Sequence, residues 1–327
     1  MITKNKKNSN IKFYIKSNNK LKSINGIMKN KKIFLFVIII ILILFSIKHN
    51  IHYKISSVIN LDYKDCLIIQ NKLDKRTQPF SFEKEFLFIA SLISCKIPFS
   101  FIRFGDGENS IMKGIEIKTK NDNWSWDIKN KKFRERLIES SSICSNTYNF
   151  ISIPCKNWIE TSKSILSFSN CTSSKFMSYA TLFINKNYIL FKEWIIRFLE
   201  NSNRWKIILV ANSNINKNIS WAYKYYPIPD KIVENWEEIS TNLMPNLENE
   251  AKQNKLIFFI SAGPAANIII LLLHRINNSN IYIDFGSSIE FITKGYSTRN
   301  YSNKTNKHSK QKCTSFQLIN NELHFKL

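Results

Sequence analysis

The sequence predicts an α/β fold, a Rossmann-like, doubly wound and mostly parallel sheet that follows a single N-terminal transmembrane helix. Two apolar runs, 205–211 and 255–261, are nearly continuous rather than alternating, as expected for parallel strands covered by helices on both faces. Strand and helix signals alternate along most of the chain, which is typical of such sheets. A separate apolar run without charges lies at 33–47.

The run at 33–47 is the predicted membrane anchor. It is shorter than the ~20 residues that usually span a bilayer, but lysines flank it on both sides and can extend their charges to the headgroups. Residues 1–32 carry ten lysines and no acidic residue. The positive-inside rule then predicts a basic cytosolic tail and a lumenal or external body, hence a single-pass type II membrane protein. A cleaved signal peptide is the alternative, but the chain has no alanine before Ala90 to form a small-residue cleavage site.

The rest of the chain divides by composition into a stem at 48–80, a folded domain at 81–300 and a basic, solvated tail at 301–327. Ser81 and the acidic residues after it predict the first helix of the domain, and an apolar strand follows at 98–104. The further predicted helices are 133–142, 157–168, 188–201, 240–254 and 264–276. The further predicted strands are 148–153, 177–184, 205–211, 255–261 and 280–285.

Composition limits the classes of ligand and partner. With 327 residues and 44% apolar content the chain can bury a sizeable core. The net charge of +24 suits acidic or phosphorylated ligands, but nucleic acid is not an expected partner because a translocated body would not meet it. Six cysteines include no Cys-x-x-Cys pair, so zinc is not expected. Some could form disulfides, for example Cys144 with Cys155, or remain buried free thiols.

The first of three informative loops is Asp106-Gly107-Glu108, directly after the strand at 98–104. Ligands of open α/β sheets bind beyond the carboxyl ends of the strands. In extended backbone, residues i and i+2 face the same side, so both carboxylates would reach one cation. The flanking glycines would let a diphosphate approach closely, and oxygen ligands suit Mg²⁺ or Mn²⁺. A solvated turn is the alternative reading of this loop.

The second loop joins the strand at 255–261 to a helix through Gly263, Pro264 and Ala265. Proline at the first helical position, with small neighbours, predicts an open helix N-terminus that can bind an anion. A βα turn that merely packs well is the alternative.

The third loop follows the last predicted strand and contains Asp284 and Gly286, with Glu290 close behind. Asp284 could hold a sugar hydroxyl, or it could cap the following turn. Two tryptophans, Trp124 and Trp126, lie in a polar loop after the acidic turn. They could stack on a sugar or a nucleobase, or anchor the loop in the core.

In this order, the three loops resemble the GT-D-fold glycosyltransferases. Members of that family are similar in an Arg-Phe-Gly-Asp-Gly-Glu turn, here 103–108, a Gly-Pro-x-Ala junction, here 263–266, and a final strand ending in Asp-x-Gly, here 284–286. The resemblance covers roughly 85–300. A subgroup also carries Gly-Ser-x-x-Asp, but Glu290 stands at the position of that Asp.

The resemblance implies a GT-D type fold and a glycosyltransferase domain at 81–300. Such an enzyme moves a sugar from a nucleotide-sugar donor, here a UDP-sugar, to a glycan or glycoprotein acceptor. The resemblance further implies that Asp106 and Glu108 hold Mn²⁺ or Mg²⁺ against the diphosphate. The acceptor hydroxyl needs a base, for which Asp284 and Glu290 are candidates by their position alone. The implied donor-binding residues are Arg103, Gly105, Gly107, Gly263, Pro264, Ala265 and Gly286.

Two other classes of function compete with this interpretation. A catalytically silent, membrane-tethered binding or structural protein with a transferase-like fold would tolerate the loss of Asp106. A metal-dependent phosphodiesterase would use the same carboxylates, but the sequence shows no further His or Asp cluster for a two-metal site.

Overall fold

The structure is a computed structural model that describes residues 31–119, 124–142, 148–215, 218–297, 299, 301, 310–319 and 322–325. The chain divides into two units between His52 and Tyr53. The helices are α1 (Lys31–Ile59), α2 (Tyr63–Asp74), α3 (Phe82–Ser94), α4 (Asp106–Met112), α5 (Lys131–Ser141), α6 (Ile159–Phe168), α7 (Tyr188–Glu200), α8 (Trp236–Ala251), α9 (Ala265–Ile276) and α10 (Glu290–Thr293). The strands are β1 (Phe99–Arg103), β2 (Ile117–Lys118), β3 (Ser125–Trp126), β4 (Asn149–Ile153), β5 (Met177–Tyr179), β6 (Lys206–Asn212), β7 (Lys224–Ile228), β8 (Leu256–Ser261), β9 (Ile281–Asp284), β10 (Phe316–Ile319) and β11 (Glu322–Phe325).

Seven strands form one sheet in the order β5-β4-β1-β9-β8-β6-β7. Every neighbouring pair in it is parallel, which confirms the predicted α/β class. The chain builds outward from β1 through β4 to β5, crosses to β6 and β7, and returns to place β8 beside β6 and β9 between β8 and β1. The strand order therefore reverses next to β1, and open α/β sheets bind ligands at such a point.

Helices cover both faces of the sheet, and β8 shows how. On one face Phe258 stacks on Tyr282, whose hydroxyl donates to the carbonyl oxygen of Leu273 in α9. On the other face Phe259 packs against Phe198 of α7. Since successive strand residues point to opposite faces, a strand buried on both faces needs apolar residues at every position. This explains the continuous apolar run that predicted the strand.

A buried ion pair fastens α3 to the β5 edge of the sheet. Arg76 and Glu85 form two hydrogen bonds of 2.8 Å, and both side chains are fully buried. Arg76 also donates to the carbonyl oxygens of Lys175 and Met177, and Ser178 donates to Glu85. A buried ion pair is stable only when its remaining donors and acceptors are also satisfied, and this pair has such partners.

Helix α1 continues well past the apolar run at 33–47. In the described part of the chain, one helical segment, Leu35–Ile59, is long and apolar enough to cross a membrane, with a mean hydropathy of 2.1. Within the second unit, Ile55 is buried and Lys54 Nζ lies 2.6 Å from Glu83 Oε1. The predicted stem at 48–80 is therefore largely helical, because the end of α1 and all of α2 lie in it.

Two details of the predicted strands are wrong. The strand expected at 177–184 ends at Tyr179, and β7 was not predicted. Strand β7 lies at the edge of the sheet and contains Pro227. Proline is tolerated in edge strands, but its presence there hides the strand from a sequence pattern.

The C-terminal segment is not the solvated extension that the sequence predicts. Strands β10 and β11 form an antiparallel hairpin, and Phe316 is fully buried against Tyr179. A disulfide joins Cys155 to Cys313, so the suggested pair of Cys155 with Cys144 is wrong. Cys144 itself lies outside the described residues. A second disulfide joins Cys66 to Cys95, and Cys171 is also disulfide-bonded.

Candidate active site

The three strand-end loops meet at one cleft of about 400 Å³. It lies beyond the carboxyl ends of β1, β8 and β9, next to the reversal of strand order. The cleft is lined by nine of the residues that the sequence singles out, namely Arg103, Asp106, Gly107, Glu108, Trp124, Gly263, Pro264, Gly286 and Glu290. Asp284, Gly105 and Ala265 adjoin this lining in sequence without belonging to it.

The acidic turn is helical rather than extended. Helix α4 begins at Asp106, and the side chain of Glu108 turns back so that its Oε2 accepts the backbone N–H of Gly105 at 2.8 Å. Helical residues two positions apart point in nearly opposite directions, so the expectation of two parallel carboxylates from extended backbone is wrong. Asp106 is exposed in the cleft, whereas Glu108 is partly buried and closes the N-terminus of α4.

Glu108 titrates in an unusual range for a carboxyl group. Burial raises the pKa of Glu108 to about 7, although the N–H groups of Glu108 and Gly105 stabilise the anion and lower it. The charge of Asp284 raises the pKa further, and the charge of Arg103 lowers it. The group therefore exchanges its proton near neutral pH, as acid–base groups in active sites often do.

Asp284 binds Arg103 at the edge of the cleft. Arg103 Nε lies 3.1 Å from Asp284 Oδ2, and Nη2 lies 3.4 Å from Oδ1. The same Oδ1 accepts the backbone N–H of Gly286 at 2.8 Å. Burial raises the pKa of Asp284, while the charge and hydrogen bonds of Arg103 oppose that rise. Both oxygens of Asp284 are thus engaged in holding a guanidinium group whose edge lines the cleft.

The glycines of the cleft make room for side chains of this protein. Gly286 has a φ of +49°, and a Cβ built on it would lie 1.8 Å from Nη2 of Arg103. A Cβ on Gly107 or Gly263 would lie 3.0 or 3.3 Å from the ring of Trp124. A side chain at any of these three positions would therefore meet Arg103 or Trp124, and a close approach of a diphosphate to the glycines stays a prediction.

Side-chain hydrogen bonds tie the three loops together. Ser261 Oγ donates to the carbonyl oxygen of Gly286 at 2.8 Å, which joins the ends of β8 and β9. Asn267 Nδ2 donates to the carbonyl oxygen of Arg103 at 2.9 Å, which joins α9 to β1. Among the described residues no side chain caps the N-terminus of α9, although the N–H of Ala266 already donates to the carbonyl oxygen of Gly263 at 3.0 Å.

The two tryptophans have different roles. Trp126 is buried, and its Nε1 donates to the carbonyl oxygen of Asn130, so it anchors the β2–β3 hairpin. Trp124 lines the cleft. The sequence left both roles open for this pair.

Sequence reasoning missed the side of the cleft that β6 and β7 supply. Asn212, Ile228, Pro229, Asp230 and Lys231 line it. These residues follow the ends of the two strands, but β7 was not recognised. The Pro-Asp pair after an apolar residue was the available signal for a turn at a strand end.

The acidic residues of the cleft fit a metal ion only in part. In the described ranges, no group of three or more His, Cys, Asp and Glu side chains is placed to hold an ion. Mg²⁺ and similar hard ions are often bound by one or two carboxylates together with substrate phosphates and water. Asp106 is exposed in the cleft and fits this type of site as one ligand, whereas Oε2 of Glu108 already accepts the N–H of Gly105.

Comparison with known proteins gives a distant structural likeness. No protein-family model matches the sequence, and no curated protein matches it. Two solved structures resemble the chain, each at 17% identity and a TM-score of 0.45, over 73% of this chain and 91% of theirs. One is described as a selenomethionine-substituted domain of unknown function 1792, and the other as showing that this highly conserved domain has a distinct glycosyltransferase fold. The α/β class of this chain therefore rests on its own parallel sheet.

Proposed function

We propose that the protein is a glycosyltransferase that moves a sugar from a nucleotide-sugar donor, such as a UDP-sugar, to a hydroxyl of a glycan or glycoprotein acceptor. One observation carries the proposal: a cation, an exposed carboxylate and an uncapped helix start converge in one cleft at the carboxyl ends of the sheet. The residues are Arg103, Asp106 and the Gly263-Pro264 junction. Together these groups suit a diphosphate.

The chemistry requires stabilisation of a leaving group. Transfer breaks the bond between the anomeric carbon and a diphosphate oxygen, and the acceptor oxygen forms a new bond to that carbon. The nucleoside diphosphate leaves with added negative charge. Arg103 and the Gly263-Pro264 junction line the cleft, and we propose that the guanidinium and the positive end of the α9 dipole stabilise that charge. Asp284 acts as a positioning residue, because its carboxylate fixes Arg103.

The acceptor hydroxyl must give its proton to a base. Of the two candidates from the sequence, Asp284 is occupied by Arg103 and Gly286. Glu290 lines the cleft, and its Oε1 lies 3.2 Å from Lys294 Nζ. Because Glu290 lines the cleft and Asp284 does not, we propose Glu290 as the base.

Asp106 and Glu108 are the residues that would hold a divalent ion. Mn²⁺ or Mg²⁺ bound there would supply positive charge to the leaving diphosphate. To serve as a ligand, Glu108 must lose its proton, and its Oε2 already accepts the N–H of Gly105. Asp106 is exposed, and its side chain has no such hydrogen bond among the described residues. We therefore propose Asp106 as the principal ligand of the metal ion.

We place the body in a lumen or outside the cell, anchored through the region of residues 33–47. The candidate span and the ten lysines before it support this orientation. The disulfides Cys66–Cys95 and Cys155–Cys313 support it independently, since disulfides persist in oxidising compartments.

The proposal is tested with the full-length chain in detergent and a panel of nucleotide sugars. Release of the nucleoside diphosphate is measured for each donor with Mn²⁺, with Mg²⁺ and with EDTA. We expect turnover of at least one donor, even without a known acceptor, through slow transfer to water, and a strong loss of that turnover in EDTA. Absence of turnover with every donor and either ion would favour the catalytically silent alternative. Turnover that persists in EDTA would remove the metal from the proposal.

A further inference from the structure

The cleft has two chemically different halves. Beyond β1 and β9 it carries charged and hydroxyl side chains, namely Arg103, Ser287, Glu290 and Lys294. Its apolar and aromatic lining comes from Ile117 and Trp124 of the β2–β3 pair and from Ile228 and Pro229 at the end of β7, with Asp230 and Lys231 directly after them. A ligand that extends along the cleft therefore meets an aromatic ring and apolar side chains at one end, and Arg103, Glu290 and Lys294 at the other.

Trp124 is held firmly in its half. Thr119 donates to the carbonyl oxygen of Trp124 from its backbone N–H at 3.1 Å and from Oγ1 at 2.7 Å. The next residue, Ser125, donates from both N–H and Oγ to Glu234 Oε1 at 2.7 Å. The hairpin is thus bonded to the segment that follows β7. The indole ring is presented on a fixed backbone rather than on a free loop.

The ring lies beside the proposed diphosphate position. A Cβ on Gly263 would lie 3.3 Å from Nε1 of Trp124, so the ring flanks the junction between β8 and α9. If a group of the donor stacks on this ring, it must therefore be one that is attached to the diphosphate. The nucleoside and the sugar are the two groups that meet this condition.

A polar edge borders the apolar lining. Asn212 Nδ2 donates to Asp230 Oδ1 at 2.6 Å, and the hydroxyl of Tyr225 donates to the carbonyl oxygen of Asn212 at 2.8 Å. Asn212 and Asp230 both line the cleft. A carboxylate and an amide that line the same cleft as an aromatic ring match a flat heterocycle, which needs stacking on its face and hydrogen bonds at its edge. A sugar ring carries hydroxyls around its rim, and the polar partners for them lie mainly in the charged half.

We propose that the Trp124 half is the nucleobase subsite, so that the donor lies with its base against Trp124 and its sugar toward Glu290 and Lys294. This inference rests on the proposed function, because it assigns a direction to the same donor. The base packs on Trp124 and the Ile228-Pro229 segment, and its edge faces Asn212 and Asp230. The acceptor then enters from the charged half.

The test is the binding of nucleoside diphosphates and of the matching nucleotide sugar to the full-length chain in detergent, by calorimetry with Mn²⁺ present. The wild-type chain is first titrated with UDP, GDP, CDP and ADP to choose the base. Trp124→Ala then weakens the binding of the diphosphate and of its sugar ester by the same factor, about tenfold or more. Trp124→Phe, which keeps an aromatic face, stays within about threefold of the wild type.

Trp158→Ala is the matched control, because Trp158 is 53% exposed and does not line the cleft. It leaves both affinities unchanged, and thermal unfolding confirms that all variants fold. If Trp124→Ala weakens the nucleotide sugar but not the diphosphate, the ring contacts the sugar and the inference is wrong. If neither affinity changes, the ring only fills space between glycines, and the inference is wrong as well. A wild-type chain that binds no nucleotide would overturn the proposed function itself.

Discussion

The protein contains two arginine–carboxylate pairs that differ in how completely they are enclosed. In the pair of Arg76 and Glu85 both side chains are fully buried and both hydrogen bonds are 2.8 Å. In the pair of Arg103 and Asp284 the bonds are 3.1 and 3.4 Å, and the arginine side chain is 19% exposed. The first pair lies between α3 and the β5 edge, and the second lies at the cleft.

The difference separates a structural role from a functional one. The donors of Arg76 are taken up by Glu85 and by two carbonyl oxygens, and three aromatic rings surround its guanidinium. Its side chain is fully buried among these partners and lies away from the cleft, so the pair stabilises the fold. Arg103 is fixed by Asp284 on one side, while its guanidinium still lines the cleft. A fixed but accessible cation is suited to bind an anion.

The largest effect on stability is expected at the fully buried pair of Arg76 and Glu85. Arg76→Met leaves Glu85 buried without its cation, so the free energy of unfolding falls by about 3–5 kcal/mol. Denaturant unfolding of the full-length chain measures the change. The double variant Arg76→Met, Glu85→Leu is the control, since it removes both charges and recovers most of the lost stability. A single variant as stable as the wild type would show that the pair is not structural.

The next largest effect is expected at the pair of Arg103 and Asp284 at the cleft. Arg103→Lys keeps the positive charge but loses the planar fork that Asp284 holds, so turnover of the donor falls by about 100-fold. The melting temperature changes much less than in Arg76→Met. Steady-state kinetics and thermal unfolding on the same sample separate the two effects. An Arg103→Lys variant that loses stability as severely as Arg76→Met, or keeps full turnover, would remove the distinction between the pairs.

A smaller effect is expected at Gly286, which has no Cβ and so leaves room for the guanidinium group of Arg103. Gly286→Ala places a Cβ 1.8 Å from Nη2 of Arg103 and requires an alanine at a φ of +49°. It costs about 1–3 kcal/mol of stability and displaces the guanidinium, which lowers turnover. Gly114→Ala is the matched control, because Gly114 has a φ of +75° while its nearest atom, Arg134 Nε, is 3.7 Å away. The control shares the backbone strain and keeps the wild-type turnover.

The smallest effect is expected at a surface pair. Lys54 and Glu83 lie 2.6 Å apart, but their side chains are 37% and 41% exposed. Lys54→Ala therefore changes the free energy of unfolding by about 0–1 kcal/mol and leaves turnover unchanged. A loss comparable to that of Arg76→Met would mean that burial does not decide what an ion pair contributes here.

The sequence predicts where the strands and the cleft loops lie along the chain better than it predicts which side chains contact each other. The strands β6 and β8 are evident because burial on both faces demands apolar residues at every position. The three loops follow from the strand ends. The partner of Arg103 lies 181 residues later in the chain, and no local pattern encodes such a pairing. The helical state of Asp106–Met112 also escaped prediction, since a short segment with a Gly-Asp-Gly start fits a turn equally well.

Strand β7 and the C-terminal hairpin escaped for a different reason. Both lie at the periphery, where a strand needs only one apolar face and tolerates proline or polar residues. Pro227 sits in β7, and β11 is half exposed. Because the sequence pattern does not predict β7, it does not predict the side of the cleft that contains Asn212 and Asp230 either.

The assignment of the cleft as the active site is tested most directly by comparing two variants, Asp106→Asn and Asp62→Asn. The measured quantity is the rate at which each releases the nucleoside diphosphate from the active donor. Both residues are exposed aspartates at the start of a helix, and both changes remove one charge with little change in shape. Asp62 caps α2 outside the cleft, and asparagine is an equally good cap. If Asp106 binds the metal ion and the donor diphosphate, turnover falls by about 100-fold or more in Asp106→Asn, while Asp62→Asn keeps the wild-type rate. Equal rates in the two variants would show that the cleft is not the active site.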